Sequence, residues 1–424
     1  MKLLHLHLPT LNQTFFFNKG MDDGRGFRVK NLSLFLFFFC LLSLRMEFSR
    51  AQMVPAVFVF GDSLVDVGNN NYLPVSIAKA DFPHNGIDFP TKKPTGRFSN
   101  GKNAADLLAE KLGLPSSPPY LSLLKKTDES SYINGVSFAS GGAGIFNGTD
   151  QTYGQSIPLL KQVDNYIEVY KSLVQQMGSS GAEKHLSKAL FTIVIGSNDM
   201  LDYFGSSDLR KKSTPQQFVD LMANTLKGQL KRLYETGARK FVLTGIGVIG
   251  CIPAERVKNK THECNEECNF WSVKYNEELK AMLKGLKSER QGINYSYFDT
   301  YSIMQNVIQK PSSYGIIYIT CGLINLCSFL GGHLIVLGFV KRFEIFQFMV
   351  AGFNEIESAC CGLGDLKAKV PCVPISKYCS NRKDHVFWDL YHPTEATARI
   401  FVDTLFDGPS QYCIPMNVRQ LISA

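Results

Sequence analysis

Four stretches of this chain hold residue types that together can carry out acyl transfer at a carbonyl carbon. In "VFVFGDSLVDVGNNN" (57–71) an apolar run stops on Gly61-Asp62-Ser63, which sets a hydroxyl at a strand end. Taken alone, Ser63 is better read as a helix-opening residue, because Ser and Asp favour N-caps and Gly favours turns. In "FWDLYHPTEA" (387–396) Asp389 precedes His392 by three positions. Pro393 biases His392 away from helical angles and is expected at the first helical position, with Glu395 in the first turn. Across that turn Asp389 can accept a hydrogen bond from Nδ1–H, leaving Nε2 free as a base. A surface Asp and a capping His would produce the same pattern. "SGGAG" (140–144) and "GSND" (196–199) supply donors for a developing oxyanion: an N–H of the pair Gly141-Gly142 and the Asn198 amide, beside the Ser63 N–H. Glycine leaves room for close approach of a carbonyl oxygen. The competing readings are a tight turn and an Asx turn.

Other chemistries have weaker support. His5 and His7 lie in the leader, and His84, His185, His262, His333 and His385 have no carboxylate placed beside them by an obvious turn. No G-x-x-x-x-G-K-[ST] or G-x-G-x-x-G follows a strand, so a phosphate loop is disfavoured and no cofactor is expected. The G-x-S-x-G elbow of ordinary α/β-hydrolases is absent as well.

The elements that must position these residues follow from patterning. "VPAVFVF" (54–60), "INGVSFAS" (133–140), "ALFTIVIG" (189–196), "RKFVLTGIG" (239–247) and "INYSYFD" (293–299) read as strands, mostly too continuously apolar to be buried on one face only. Between them, 156–177, 214–237 and 268–290 read as amphipathic helices, the second opening on Thr214-Pro215 and stopping at Gly237. Strands alternating with helices predict a doubly wound α/β domain, in which chemistry collects beyond the carboxyl ends of the strands. Three strands run into polar clusters at that edge, and this agreement lifts Ser63 above the capping reading.

The chain has 424 residues and a formal charge of +8, partly contributed by the leader, with no Lys/Arg run of the kind that tracks phosphates. No nucleic-acid partner is expected. Leu32–Leu44, an apolar run behind Arg25, Arg28 and Lys30, reads as a signal-peptide core, with cleavage expected after Ala51 and Met21 as an alternative start. Residues 1–51 are thus leader, 52–414 one domain and 415–424 a tail. Of eleven cysteines, Cys40 is in the leader and Cys321 and Cys327 fall in an anomalous block. The other eight (Cys251, Cys264, Cys268, Cys360, Cys361, Cys372, Cys379 and Cys413) read as disulfide formers in an exported chain, in preference to a metal site at Cys264/Cys268. Asn147, Asn259 and Asn294 head glycosylation sequons, usable if exposed.

Six blocks occurring in order ("FVFGDSLVDVGNNN", "GVSFASGGAGI", "IVIGSNDML", "GCIP", "ACCGLG" and "FWDLYHPTEA") resemble the plant GDSL esterase/lipase family of the SGNH hydrolase superfamily. The resemblance covers nearly all of 53–314 and 353–413. It implies a three-layer α/β/α sandwich with a central, mostly parallel five-stranded sheet of SGNH or flavodoxin-like type. It also implies a secreted serine esterase or lipase acting on acyl lipids or small esters. Carried over by position, it implies Ser63 as nucleophile, Asp389 and His392 as the base system, and Gly142 and Asn198 as oxyanion donors. The second block departs from the family at Ser137, where Asn is usual. An extracellular acyltransferase of the cutin-polymerising type, or a catalytically idle binding or defence protein on the same scaffold, would share these motifs.

Residues 315–351 interrupt the resemblance, and joining "SSYG" to "FNEIESACCGLG" restores it. Ile316–Val340 carries no Asp, Glu, Lys or Arg and is followed by Lys341-Arg342, the pattern of a membrane span. A literal span would put Ser63 and His392 on opposite sides of a bilayer. Two readings avoid that: an apolar insertion used for membrane or lipid contact, and translated intron sequence. The intron is favoured, since so much apolar surface is an aggregation liability. Transcript reads are expected to splice across 315–351; uninterrupted coverage in mature message would count against the intron.

Overall fold

The structure is a computed structural model that describes residues 52–124, 132–319 and 348–424. The signal-peptide reading of 1–51 and nearly all of the span reading of 316–340 concern residues outside those described. In chain order the elements used below are β1 (Val57–Gly61), α1 (Ala104–Lys111), α2 (Leu159–Leu186), β2 (Leu190–Val194), α3 (Ser197–Gly205), α4 (Pro215–Glu235), β3 (Lys240–Thr244), α5 (Glu266–Glu289), β4 (Asn294–Phe298) and α6 (Thr300–Gln309). They continue with β5 (Gly315–Ile319), β6 (Phe348–Gly352), β7 (Glu355–Ala359), β8 (His385–Phe387), α7 (Glu395–Asp407), β9 (Cys413–Ile414) and α8 (Val418–Ser423).

Strand residues alternate between two apolar layers. Phe58, Phe60, Phe191, Ile193, Phe241 and Leu243 pack with α2, α4 and α5, while Val57, Val59, Leu190, Val194 and Val242 pack with α1, α7 and α8. That two-sided burial is why the strands read as continuous apolar runs, and it makes the fold an α/β/α sandwich. The sheet runs β1-β2-β3-β4-β9, the first four parallel and β9 antiparallel to β4. Val57 lies opposite Leu190, Leu190 opposite Lys240, and Lys240 opposite Asn294, so the parallel strands start level and end level. The loops after Gly61 and Val194 therefore leave the sheet at one edge.

The main sheet has five strands, as the sequence led us to expect, but the fifth is β9. The expected strand 133–140 runs alongside β1 without forming a regular strand: the Val57 and Val59 N–H groups donate to Asn134 O and Val136 O, and the Phe138 and Ser140 N–H groups to Val59 O and Gly61 O. At Gly135, which has a positive φ, an added Cβ would lie 2.0 Å from Val57 O, so glycine permits this close approach to β1. The helix expected to end at Met177 continues to Leu186 beyond a break at Gly178. Residues 415–424 are not a loose tail. In α8, Val418 and Leu421 are fully buried, and Lys240 Nζ donates to Ile422 O and Ala424 O. In the interrupting block, β5 and β6 pair antiparallel with Gly315 opposite Gly352, so the block leaves and rejoins the domain at one place. Among the described residues no helix is long and apolar enough to cross a membrane.

Buried polar side chains hold the edge loops. Asp66 accepts from the N–H groups of Gly68, Asn69 and Gly141. Asn69 Nδ2 donates to Ser137 O and Ala139 O, and Asn70 Nδ2 to Ala78 O and Gly141 O. Asp199 accepts from the Ile145 and Phe146 N–H groups and from Thr149 Oγ1. The departure at Ser137 falls within this mesh: its backbone is fully bonded, while its buried hydroxyl has no partner among the described residues. Burial pushes Asp66 and Asp199 up to about 6 and Asp62 up to about 7.

These carboxyls keep their protons in the folded protein to higher pH than in the unfolded chain, where an Asp titrates at about 3.9. The folded state therefore binds more protons between those limits, and stability falls as pH rises through the window. Thermal melts are expected to give a lower Tm at about pH 8 than at about pH 5, with a flatter slope for Asp62→Asn. An unchanged slope in that variant would contradict the assignment.

Candidate active site

Ser63 sits on the first turn after β1. At Gly61, φ is +151° and an added Cβ would lie 2.1 Å from Val194 O, so only glycine fits where β1 presses against its neighbour. The buried Gln162 amide grips the same residue twice, accepting from the Gly61 N–H and donating to Gly61 O, both at 2.8 Å. No long helix follows. The Val65 and Asp66 N–H groups return to Asp62 O, and Asp62 Oδ1 accepts from the Leu64 N–H. The capping role entertained for Ser63 thus belongs to Asp62, and the Ser63 side chain stays half-exposed.

His392 arrives from the far end of the chain. Strands β7 and β8 run parallel, and the Cys360 and Cys361 N–H groups donate to Phe387 O and Trp388 O. Disulfides Cys360–Cys379 and Cys361–Cys372 surround the fully buried Trp388, whose Nε1 donates to Asn85 Oδ1. The loop then turns back, with the Trp388 N–H donating to His392 O. Pro393 is not at the first helical position. Thr394 is the N-cap of α7, accepting from the Thr397 N–H, and Pro393 bridges to Phe387 outside the helix.

The structure brings Ser63, His392 and Asp389 together. His392 Nε2 lies 2.7 Å from Ser63 Oγ, and Nδ1 lies 2.8 Å from both Asp389 oxygens. Asp389 Oδ1 also accepts from the Tyr391 and His392 N–H groups, so one carboxylate orients both the loop and the ring. Asp389 and His392 are buried. His262 and His385, which the sequence left without carboxylates, do have them in Asp365 and Asp384. Their partners come from a distant loop and from the preceding residue, neither signalled by a turn pattern.

The two expected oxyanion donors lie on loops that leave the sheet near the ends of β1 and β2. The Gly141 N–H is committed to Asp66 Oδ2, whereas the Gly142 N–H has no partner among the described residues. Gly142 has φ +75°, and an added Cβ there would meet only Ala78 and Ser156 at 3.8 and 3.9 Å, so backbone conformation and not crowding selects glycine. Asn198, in the first turn of α3, donates one Nδ2 hydrogen to Ala143 O at 2.9 Å and retains a second.

Sequence reasoning missed the segment "TGRFSNGK" (95–102), which has no periodicity to mark it. Phe98 packs its ring on the His392 imidazole at 4.9 Å between centroids. Asn100 Oδ1 accepts from the Glu395 N–H, and Glu395 Oε2 accepts from the Lys102 N–H, which clasps this loop to the start of α7. Tyr153 and Tyr391 share a hydroxyl–hydroxyl hydrogen bond of 2.9 Å. The only signal in the sequence was a dense polar string between glycines.

Six of the eight cysteines form disulfides, the third being Cys251–Cys264. Cys268 and Cys413 are buried and free, each thiol pushed up to about 12 by burial, so the all-disulfide expectation is corrected. No group of metal-ligating side chains occurs among the described residues. Asn147 and Asn259 are exposed. Asn294, at the start of β4, is half-buried, and the hydroxyl residues of two of the three sequons, Thr149 and Ser296, are buried.

Residues 57–405 match the family described as GDSL-like Lipase/Acylhydrolase. The chain is 49% identical over 405 residues to GDSL esterase/lipase At5g55050 of Arabidopsis thaliana, covering 92% of this chain and 98% of that protein. It is 35% identical to GDSL esterase/lipase At5g37690 (83% of this chain, 88% of that one) and 38% identical to GDSL esterase/lipase At4g16230 (87% and 91%), both from Arabidopsis thaliana. A solved structure of an acetylxylan esterase catalytic mutant from Geobacillus stearothermophilus aligns at 12% identity over 61% of this chain and 83% of that chain. Its TM-score is 0.30, too distant a likeness to bear on the site. With its matched region spanning the α/β/α domain from β1 into α7, the chain belongs to the GDSL-like lipase/acylhydrolase family, a family of carboxylic-ester hydrolases.

Proposed function

We propose that this ester hydrolase is secreted and works through Ser63, His392 and Asp389 by way of an acyl-enzyme. The observation that carries the reading is the 2.7 Å hydrogen bond between Ser63 Oγ and His392 Nε2, backed by the two-oxygen grip of Asp389 on Nδ1. Asp389 keeps the ring in the tautomer with its proton on Nδ1, so the Nε2 lone pair faces the Ser63 hydroxyl. As Oγ attacks the ester carbonyl, its proton passes to Nε2 and then to the departing alkoxide. The carbonyl oxygen, negative in the tetrahedral state, accepts from the Gly142 N–H, the free Asn198 Nδ2 hydrogen and the Ser63 N–H. Water, deprotonated by His392, then attacks the acyl-Ser63 ester and releases the acid, returning the proton to Oγ. The substrates are acyl lipids or small acyl esters. Export fits the leader and the three disulfides, which persist in oxidising compartments.

Ser63→Ala is expected to bring p-nitrophenyl ester turnover to background and to abolish labelling by a fluorophosphonate probe; retained turnover would remove Ser63 from this role. For Asn198→Ala, kcat should fall by about 10²–10³ with KM little changed, because its amide acts on charge present only in the transition state. Steady-state kinetics on a soluble acetate ester measures both terms.

A further inference from the structure

A cavity of about 130 Å³ lies behind the Ser63 turn, between the second face of the sheet and helices α1, α6 and α7. Its inner wall is largely aliphatic, with Ala105, Leu108, Val194, Ala398 and Val402. Its outer wall belongs to the site described above. Leu64 follows Ser63, Tyr391 and Pro393 flank His392, and Phe98 is the ring resting on the imidazole. Ser63 and His392 do not themselves line it, so half-buried Phe98 is the partition between cavity and reacting atoms. Unfilled volume destabilises a core. Its occurrence here, one side chain away from the nucleophile, marks a space kept for something other than protein.

We propose that this cavity receives the acyl chain of the substrate, to a depth of about six carbons, with Phe98 as the threshold residue that sets entry. The depth follows from size, since an apolar cavity of about 150 Å³ holds one benzene ring. The inference rests on the ester-hydrolase reading of Ser63 and specifies the acyl side of its substrate. A chain reaching the cavity passes the Phe98 ring edge with its carbonyl left at Ser63. Acetyl esters are too short to enter and take no benefit from the cavity. Ala398, on α7 in the inner wall, is where a larger side chain fills the space without replacing a residue of the reacting group.

The test is a series of p-nitrophenyl esters from acetate to dodecanoate on the full chain and on Ala398→Phe. The full chain is expected to prefer hexanoate over acetate by at least about tenfold in kcat/KM, the scale of a few methylenes in an apolar pocket. Ala398→Phe should bring hexanoate to within about threefold of acetate while leaving acetate unchanged. An Ala398→Phe protein that turns over acetate normally and keeps the hexanoate preference would overturn the proposal. Should that variant fail to fold, 1-hexanol added to the unmodified protein decides: a saturable rise in Tm is expected from binding to the native state, and no shift overturns the cavity's role. If no ester is turned over and the fluorophosphonate probe fails to label, the serine-hydrolase reading falls. The hexanol melt still reports separately on the cavity.

Discussion

The contact between Ser63 and His392 joins side chains 329 positions apart, and most of the fold can be understood as what that distance demands. Neither end can wander, because a hydrogen bond of this kind weakens steeply once its angle or length slips. The near end is fixed by close approach: β1 presses Gly61 against the Val194 carbonyl, and Gln162 holds its amide from the other side. The far end is fixed by cross-links, since two disulfides knit the stretch that packs around Trp388 just before Asp389. The 95–102 loop braces that far end, with Phe98 on the imidazole and Asn100 clasped to Glu395.

Burying carboxylates is unfavourable, and the loops after β1 and β2 bury Asp62, Asp66 and Asp199. Asp66 and Asp199 offset that by accepting three hydrogen bonds each, tying separate loops together. Asp62 is less well compensated: Oδ1 caps the Ser63 turn, and Oδ2 has no partner among the described residues. The same network distributes the donors. By occupying the Gly141 N–H, Asp66 leaves the next amide, at Gly142, available to a ligand. The two glycines thus differ in hydrogen bonding although they are identical in type.

What could be read from the sequence was what repeats or clusters locally. Strands buried on both faces announce themselves as apolar runs, and Thr214-Pro215 and Gly237 bound α4 as their capping chemistry requires. Ser63, Asp389 and His392 were legible because short spacings and strand ends mark them. The fifth strand was not, since Cys413–Ile414 is only two residues long and its partner β4 is far away in sequence. Phe98, Asn100 and Gln162 were illegible for a related reason: each acts on a residue distant in sequence, and nothing in its own neighbourhood encodes the partner. Cysteine counting failed at Cys268 and Cys413 because parity says nothing about burial.

Those two thiols give the native state a chemical asymmetry. While the fold holds, burial keeps each protonated and therefore poorly nucleophilic. Unfolding returns Cys268 to ordinary acidity four positions from Cys264, whose bond to Cys251 is then open to attack. Exchange at that point frees a different sulfur and leaves a cross-link the native topology does not contain. The molecule is thereby protected by its shape against a rearrangement that its own composition makes available.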